Sequence, residues 1–151
     1  MNCFRGSGFP PRRPILRCEF DLAEDSQLSK VPLIAIVDDD ESFRRATDRF
    51  VRSLGYAVAA FASGKAFLES DRLADVSCLI SDVEMPGMSG FELQRQLINR
   101  GQRLPVIFIT AFLGMAKRQA LEGDTIALLD KPFNDQQLIE CLRDALASRG
   151  I

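Results

Sequence analysis

The stretch Leu33-Ile34-Ala35-Ile36-Val37-Asp38-Asp39-Asp40 sets a continuous apolar run against three carboxylates. A short run of this kind reads as a strand buried on both faces. The next segment has another period: Phe43, Ala46, Thr47, Phe50 and Leu54 recur at helical spacing, and Gly55 ends the helix. The alternation continues along the chain. Tyr56 to Phe61 reads as a second strand, and Ser63 caps a short helix carrying Phe67 and Leu68. Val76 to Ile80 is a third strand that leads into Ser81-Asp82. The turn-rich Pro86-Gly87-Met88-Ser89-Gly90 opens a helix with Phe91, Leu93, Leu97 and Ile98, closed near Gly101. Pro105 to Ile109 is a fourth strand ending at Thr110, followed by a weaker helix over about Gly114 to Leu121. Thr125 to Leu129 is a fifth, ending at Asp130-Lys131; Asn134 or Asp135 then caps a last helix with Leu138, Ile139, Leu142, Ala145 and Leu146. Strands and helices in strict alternation predict an α/β domain, a parallel sheet with helices on both faces.

The remainder bounds the function. The chain has 151 residues, a net charge of −2 and no histidine. Without an imidazole there is no Ser-His-Asp triad, Cys-His pair, His-x-x-Glu-His zinc site or phosphohistidine carrier. Phosphoryl or acid–base chemistry must use carboxylates, amines, hydroxyls or thiols, or borrow a partner's histidine. The balanced charge argues against a nucleic-acid module, and no apolar run reaches membrane-spanning length. Cys3, Cys18, Cys78 and Cys141 form no Cys-x-x-Cys pair, which fits a reducing cytoplasm. Residues 1–31 mix Gly, Pro, Arg and Ser before turning acidic, and read as a disordered N-terminal extension.

Polar residues fall at the strand ends: Asp38, Asp39 and Asp40 after the first, Asp82 after the third, Thr110 after the fourth and Lys131 after the fifth. In an open parallel sheet these ends share one edge, where ligands bind. Clustered carboxylates repel, and a hard divalent cation relieves the repulsion; oxygen ligands select Mg²⁺ or Mn²⁺. A lysine and a threonine beside them supply a charge and a hydrogen bond for phosphoryl oxygens. Such a set suits phosphoryl arrival on a carboxylate nucleophile.

Ile36-Val37-Asp38-Asp39-Asp40, Asp82-Val83-Glu84-Met85-Pro86-Gly87-Met88-Ser89-Gly90, Ile109-Thr110-Ala111 and Lys131-Pro132-Phe133 together resemble the receiver domain of bacterial response regulators in two-component signalling. The resemblance covers about Val31 to Arg149. Phe61-Ala62-Ser63-Gly64 and Gly90-Phe91-Glu92-Leu93-Gln94 further resemble receivers of transcription regulators with a helix-turn-helix output. It implies a flavodoxin-like doubly wound (βα)5 fold with strand order 2-1-3-4-5, over residues 32–149. It implies that Asp82 accepts phosphate, and that Asp38, Asp39, Asp82 and the backbone carbonyl of Glu84 hold Mg²⁺ or Mn²⁺. Asp40 is then a loop or cap residue. Thr110 and Lys131 would bind the phosphoryl group, with a cis bond before Pro132. A partner sensor histidine kinase or phosphotransfer protein would supply the missing histidine. The chain would be a cytoplasmic signalling phosphoacceptor rather than an enzyme with independent turnover. It would switch a face of fourth helix, fifth strand and fifth helix for partner binding or homodimerisation. No output domain is expected after the last helix, and so no nucleic-acid partner for this chain; no membrane partner is expected either.

Two departures qualify the resemblance: Leu128, and the segment Glu122-Gly123-Asp124-Thr125, which departs from the Gly-Ala usual before strand five. Leu128 stands three residues before Lys131, where such receivers carry Tyr or Phe; a leucine has no ring or hydroxyl for an aromatic switch. Glu84 is placed to reach the site edge or an attacking water, and Phe112 to shield it; both predict slow self-dephosphorylation. Two alternatives stay open: a degenerate receiver that binds partners without phosphorylation, and a Mg²⁺-dependent phosphohydrolase with Asp82 as nucleophile.

Overall fold

The structure, a computed structural model, describes residues 31–111 and 125–149. By its contacts the chain divides into Met1–Val31 and Pro32–Ile151; the second unit is described here. The helix expected over Gly114 to Leu121, and Phe112, lie outside the described residues. The strands are β1 (Leu33–Val37), β2 (Ala57–Phe61), β3 (Val76–Asp82), β4 (Val106–Thr110) and β5 (Thr125–Asp130). The helices are α1 (Glu41–Ser53), α2 (Gly64–Leu68), α3 (Gly90–Asn99) and α4 (Asp135–Ser148), with a 3₁₀ turn at Leu73–Asp75.

All neighbouring strands are parallel, in the order β2-β1-β3-β4-β5. This is the doubly wound order expected from the sequence. Alternation along each strand divides the core in two. Ala35, Val37, Leu79, Val106 and Phe108 face α2 and α3 through Phe67, Leu68, Phe91, Leu93 and Leu97. Ile34, Ile36, Ile80, Ile107 and Ile109 face α1 and α4 through Val51, Leu138, Leu142 and Ala145. Each fully buried aliphatic side chain contributes about 1.5–3 kcal/mol, so the central strands are the most firmly held part of the sheet.

Helix ends follow local chemistry. Asp40, Ser63, Ser89 and Asn134 are the N-caps, and Ser89–Glu92 and Asn134–Gln137 form reciprocal capping boxes. Asn134, rather than Asp135, caps the last helix. Strand β3 runs two residues beyond the apolar run, because Ser81 pairs with Phe108 and Asp82 with Ile109 on β4. The Ser81 hydroxyl is satisfied by the Asp82 carbonyl at 2.9 Å. Asp82 is therefore the last residue of a central strand, with backbone fixed by the ladder.

The start of α3 presses directly on that strand end. The Gly90 N–H donates to the Val83 carbonyl at 2.9 Å. A Cβ at Gly90 would lie 2.4 Å from the Asp82 carbonyl oxygen and 3.1 Å from Val83 Cα. Neither neighbour is a flexible side chain that could yield. Gly90→Ala is expected to destabilise the fold by about 3 kcal/mol through backbone overlap. Urea unfolding measures it, and a loss under about 1 kcal/mol would show that the contact relaxes easily.

Candidate functional site

The carboxyl ends of β1, β3, β4 and β5 bring Asp38, Asp82, Thr110 and Lys131 to one edge of the sheet. This edge contains the point where the chain, having laid β2 on one side of β1, crosses to lay β3 on the other. A crevice opens at such a reversal.

Asp38 follows β1 and is buried. Its Oδ1 accepts from the Asp40 N–H at 2.9 Å, and the Arg44 guanidinium donates to its carbonyl at 2.8 Å. Asp40 turns away and accepts from the Phe43 N–H at 3.2 Å as the cap of α1. Asp39 is exposed, yet one carboxylate oxygen each from Asp38, Asp39 and Asp82 lie within 4.8 Å of one another. Lys131, after β5, sets its ammonium 3.4 Å from Asp82 Oδ2 and 3.8 Å from Asp38 Oδ2. The Lys131–Pro132 bond is cis. Among the described residues, Asp82 Oδ1 is buried with no hydrogen-bond partner.

The electrostatics follow from this crowding. Burial, and then the charge of Asp38, push Asp82 up from the ordinary 3.8 to about 6, against the pull of Lys131. Burial likewise raises Asp38, opposed by the Asp40 N–H and by Lys131. One ammonium faces two buried carboxylates and a third exposed one, so the cluster carries excess negative charge. An oxygen-only donor set with an unsatisfied buried oxygen fits a hard divalent cation. Asp38, Asp39 and Asp82 could hold one.

Three contacts at this edge were not legible in the sequence. The Phe43 ring lies under the Lys131 ammonium, 4.4 Å from centroid to Nζ, and meets Phe133 edge-on at 5.9 Å. Its spacing marks Phe43 only as part of the apolar face of α1. The Arg44 bond to the Asp38 carbonyl is the second. The third is the Glu84 side chain: its Oε2 accepts from the Thr110 hydroxyl at 2.6 Å, and its Oε1 from the Ala111 N–H at 3.3 Å. Thr110 is fully buried while Glu84 is exposed. Leu128 is partly buried, sits opposite Phe108 in the ladder and packs into the core beside α2 and α3.

A family model described as the response regulator receiver domain matches residues 34–143. The response regulator protein TodT of Pseudomonas putida is 36% identical over 143 residues, covering 93% of this chain and 60% of TodT. The chain therefore spans less than two thirds of that relative's length. Among solved structures, the response regulator StyR aligns with a TM-score of 0.69 and 35% identity, over 80% of this chain and 61% of StyR. The Vibrio cholerae chemotaxis protein CheY4 aligns with a TM-score of 0.70 and 28% identity, over 77% of this chain and 99% of CheY4.

The raised Asp82 has a consequence for stability. Its folded pKa of about 6 lies above the ordinary 3.8, so between those values the folded chain binds more protons than the unfolded one. Stability from this group is present below that window and is lost as pH rises through it. Asp82→Asn is expected to leave stability near wild type at pH 4 and to raise it by about 2–3 kcal/mol at pH 7.5 without divalent cations. Urea unfolding at both pH values checks this; an equal effect at the two would contradict it.

Proposed function

The chain belongs to the response regulator receiver family, and on that premise we propose that Asp82 is its phosphoryl acceptor in a two-component relay. The observation that carries this reading is the buried, unpartnered Asp82 Oδ1, at the end of a central strand and within reach of one ammonium. An oxygen so placed is a nucleophile whose direction the β3–β4 ladder holds. The donor is a phosphohistidine on a sensor kinase or phosphotransfer protein. The phosphorus–nitrogen bond breaks as a phosphorus–oxygen bond to Asp82 forms, and the imidazole leaves with the electron pair.

Each residue at the edge has a part. Lys131, seated between Asp82 and Asp38, neutralises charge on the incoming oxygens, and the Phe43 ring beneath it limits where the ammonium can go. Thr110 supplies a hydroxyl from the adjacent strand end and carries the change outward along β4. Asp38, Asp39, Asp82 and the Glu84 carbonyl would hold Mg²⁺ or Mn²⁺, which would offset the repulsion between carboxylate and phosphoryl group. The receiver occupies residues 32–149. Its output is a changed face that includes β5 and the last helix, offered to a partner or a second copy in the cytoplasm; the helix expected before β5 lies outside the described residues. Leu128 lies on β5 without a ring, so the switch runs through Thr110 and aliphatic packing. Among the described residues no helix is long and apolar enough to cross a membrane.

Incubation with Mg²⁺ and acetyl phosphate, read by intact mass, tests the reading. One stable added phosphate is expected in wild type, and none in Asp82→Ala. Repeated turnover without an adduct would instead mark a phosphohydrolase, and no reaction a receiver that binds partners unphosphorylated. Either result would overturn the phosphoacceptor assignment.

A further inference from the structure

The Glu84 carboxylate has no part in the reaction described above, yet it holds two of the hydrogen-bond donors at the site. Its two oxygens engage the Thr110 hydroxyl at 2.6 Å and the Ala111 N–H at 3.3 Å, donors from consecutive residues at the end of β4. A phosphoryl group, like a carboxylate, presents paired anionic oxygens, and both take hydroxyl and backbone donors as short, charge-assisted bonds. We propose that Glu84 is a built-in competitor for the phosphoryl group. It occupies the Thr110 hydroxyl and the Ala111 N–H until a phosphoryl group on Asp82 takes those donors and expels the carboxylate into solvent. This rests on Asp82 being the acceptor.

The geometry favours exchange over sharing. Glu84 stands two residues beyond Asp82, on the loop leaving β3, and its charge is among those that disfavour ionisation of Asp82. A doubly charged phosphoryl group and a carboxylate on the same two donors would repel strongly in a partly buried site. Glu84 is exposed, so its released carboxylate regains water at once. Thr110 is buried and has no such freedom. The hydroxyl stays and the anion changes. Competition of this kind slows phosphorylation, and it ties the change of partner at the Thr110 hydroxyl to departure of the glutamate.

The test compares wild type with Glu84→Gln and Glu84→Ala, both of which keep the backbone carbonyl. Acetyl phosphate transfers its phosphoryl group as the bond to acetate breaks and the bond to Asp82 forms. Adduct formation followed by intact mass is expected to be about fivefold faster in both variants, from loss of one charge-assisted competitor. In ¹⁵N-resolved spectra of the unphosphorylated chain, the Ala111 amide is expected to shift upfield in Glu84→Ala. With the phosphoryl mimic beryllofluoride bound, the Ala111 amides of wild type and Glu84→Ala should converge. Adducts forming at equal or lower rates in the variants, or an Ala111 amide indifferent to Glu84→Ala, would overturn the competitor while leaving Asp82 as acceptor. No adduct in any of the three proteins would overturn the acceptor and the competitor together.

Discussion

Two carboxylates, Asp38 and Asp82, are held side by side out of water at the ends of neighbouring strands, with one ammonium between them. Left to themselves they would separate or protonate. The parallel ladder and the apolar layers on both faces keep them together, and burial is the main cause that raises both pKa values, with the charge of Asp38 adding to the rise at Asp82. Stability from the core is thus partly spent on an acidic edge that repels itself. Such an edge favours positive charge; Lys131 supplies one, and a hard divalent cation would supply more.

The surrounding contacts limit how that tension can be relieved. Arg44 ties the Asp38 carbonyl to α1, and Phe43 on the same helix floors the ammonium. Thr110 belongs to β4, and its hydroxyl meets the Glu84 carboxylate rather than either aspartate. Lys131 thus joins Asp82 to the Phe43 ring of α1, and Glu84 joins the loop after β3 to the end of β4.

Much of this was legible in the residues. The apolar runs at Leu33, Val76 and Val106 marked the central strands because burial on both faces leaves no room for alternation. Ser63 announced its helix by ordinary capping chemistry, and the turn residues Pro86 to Gly90 announced the next. The strand-end position of each polar group followed from chain order alone. Less legible was anything that depends on where a long side chain turns. Glu84 meets a residue 26 positions away, which no local period encodes. Phe43 carries the apolar signature of a core residue and uses its ring face for a cation. Ser81 and Asp82 looked like the exit from a strand, but pairing with β4 draws them into it. The 3₁₀ turn at Leu73–Asp75 has no distinguishing composition.

The contact at Gly90 has a mechanical meaning. Elsewhere in the domain a layer of interlocking side chains separates helix from sheet, and such layers let a helix slide by small adjustments of rotamers. Where α3 meets the end of β3 the two backbones approach directly, with the Ser81 hydroxyl beside them. The start of helix α3 is thus seated directly on the strand that carries Asp82, so any displacement of that strand end must carry the start of the helix with it.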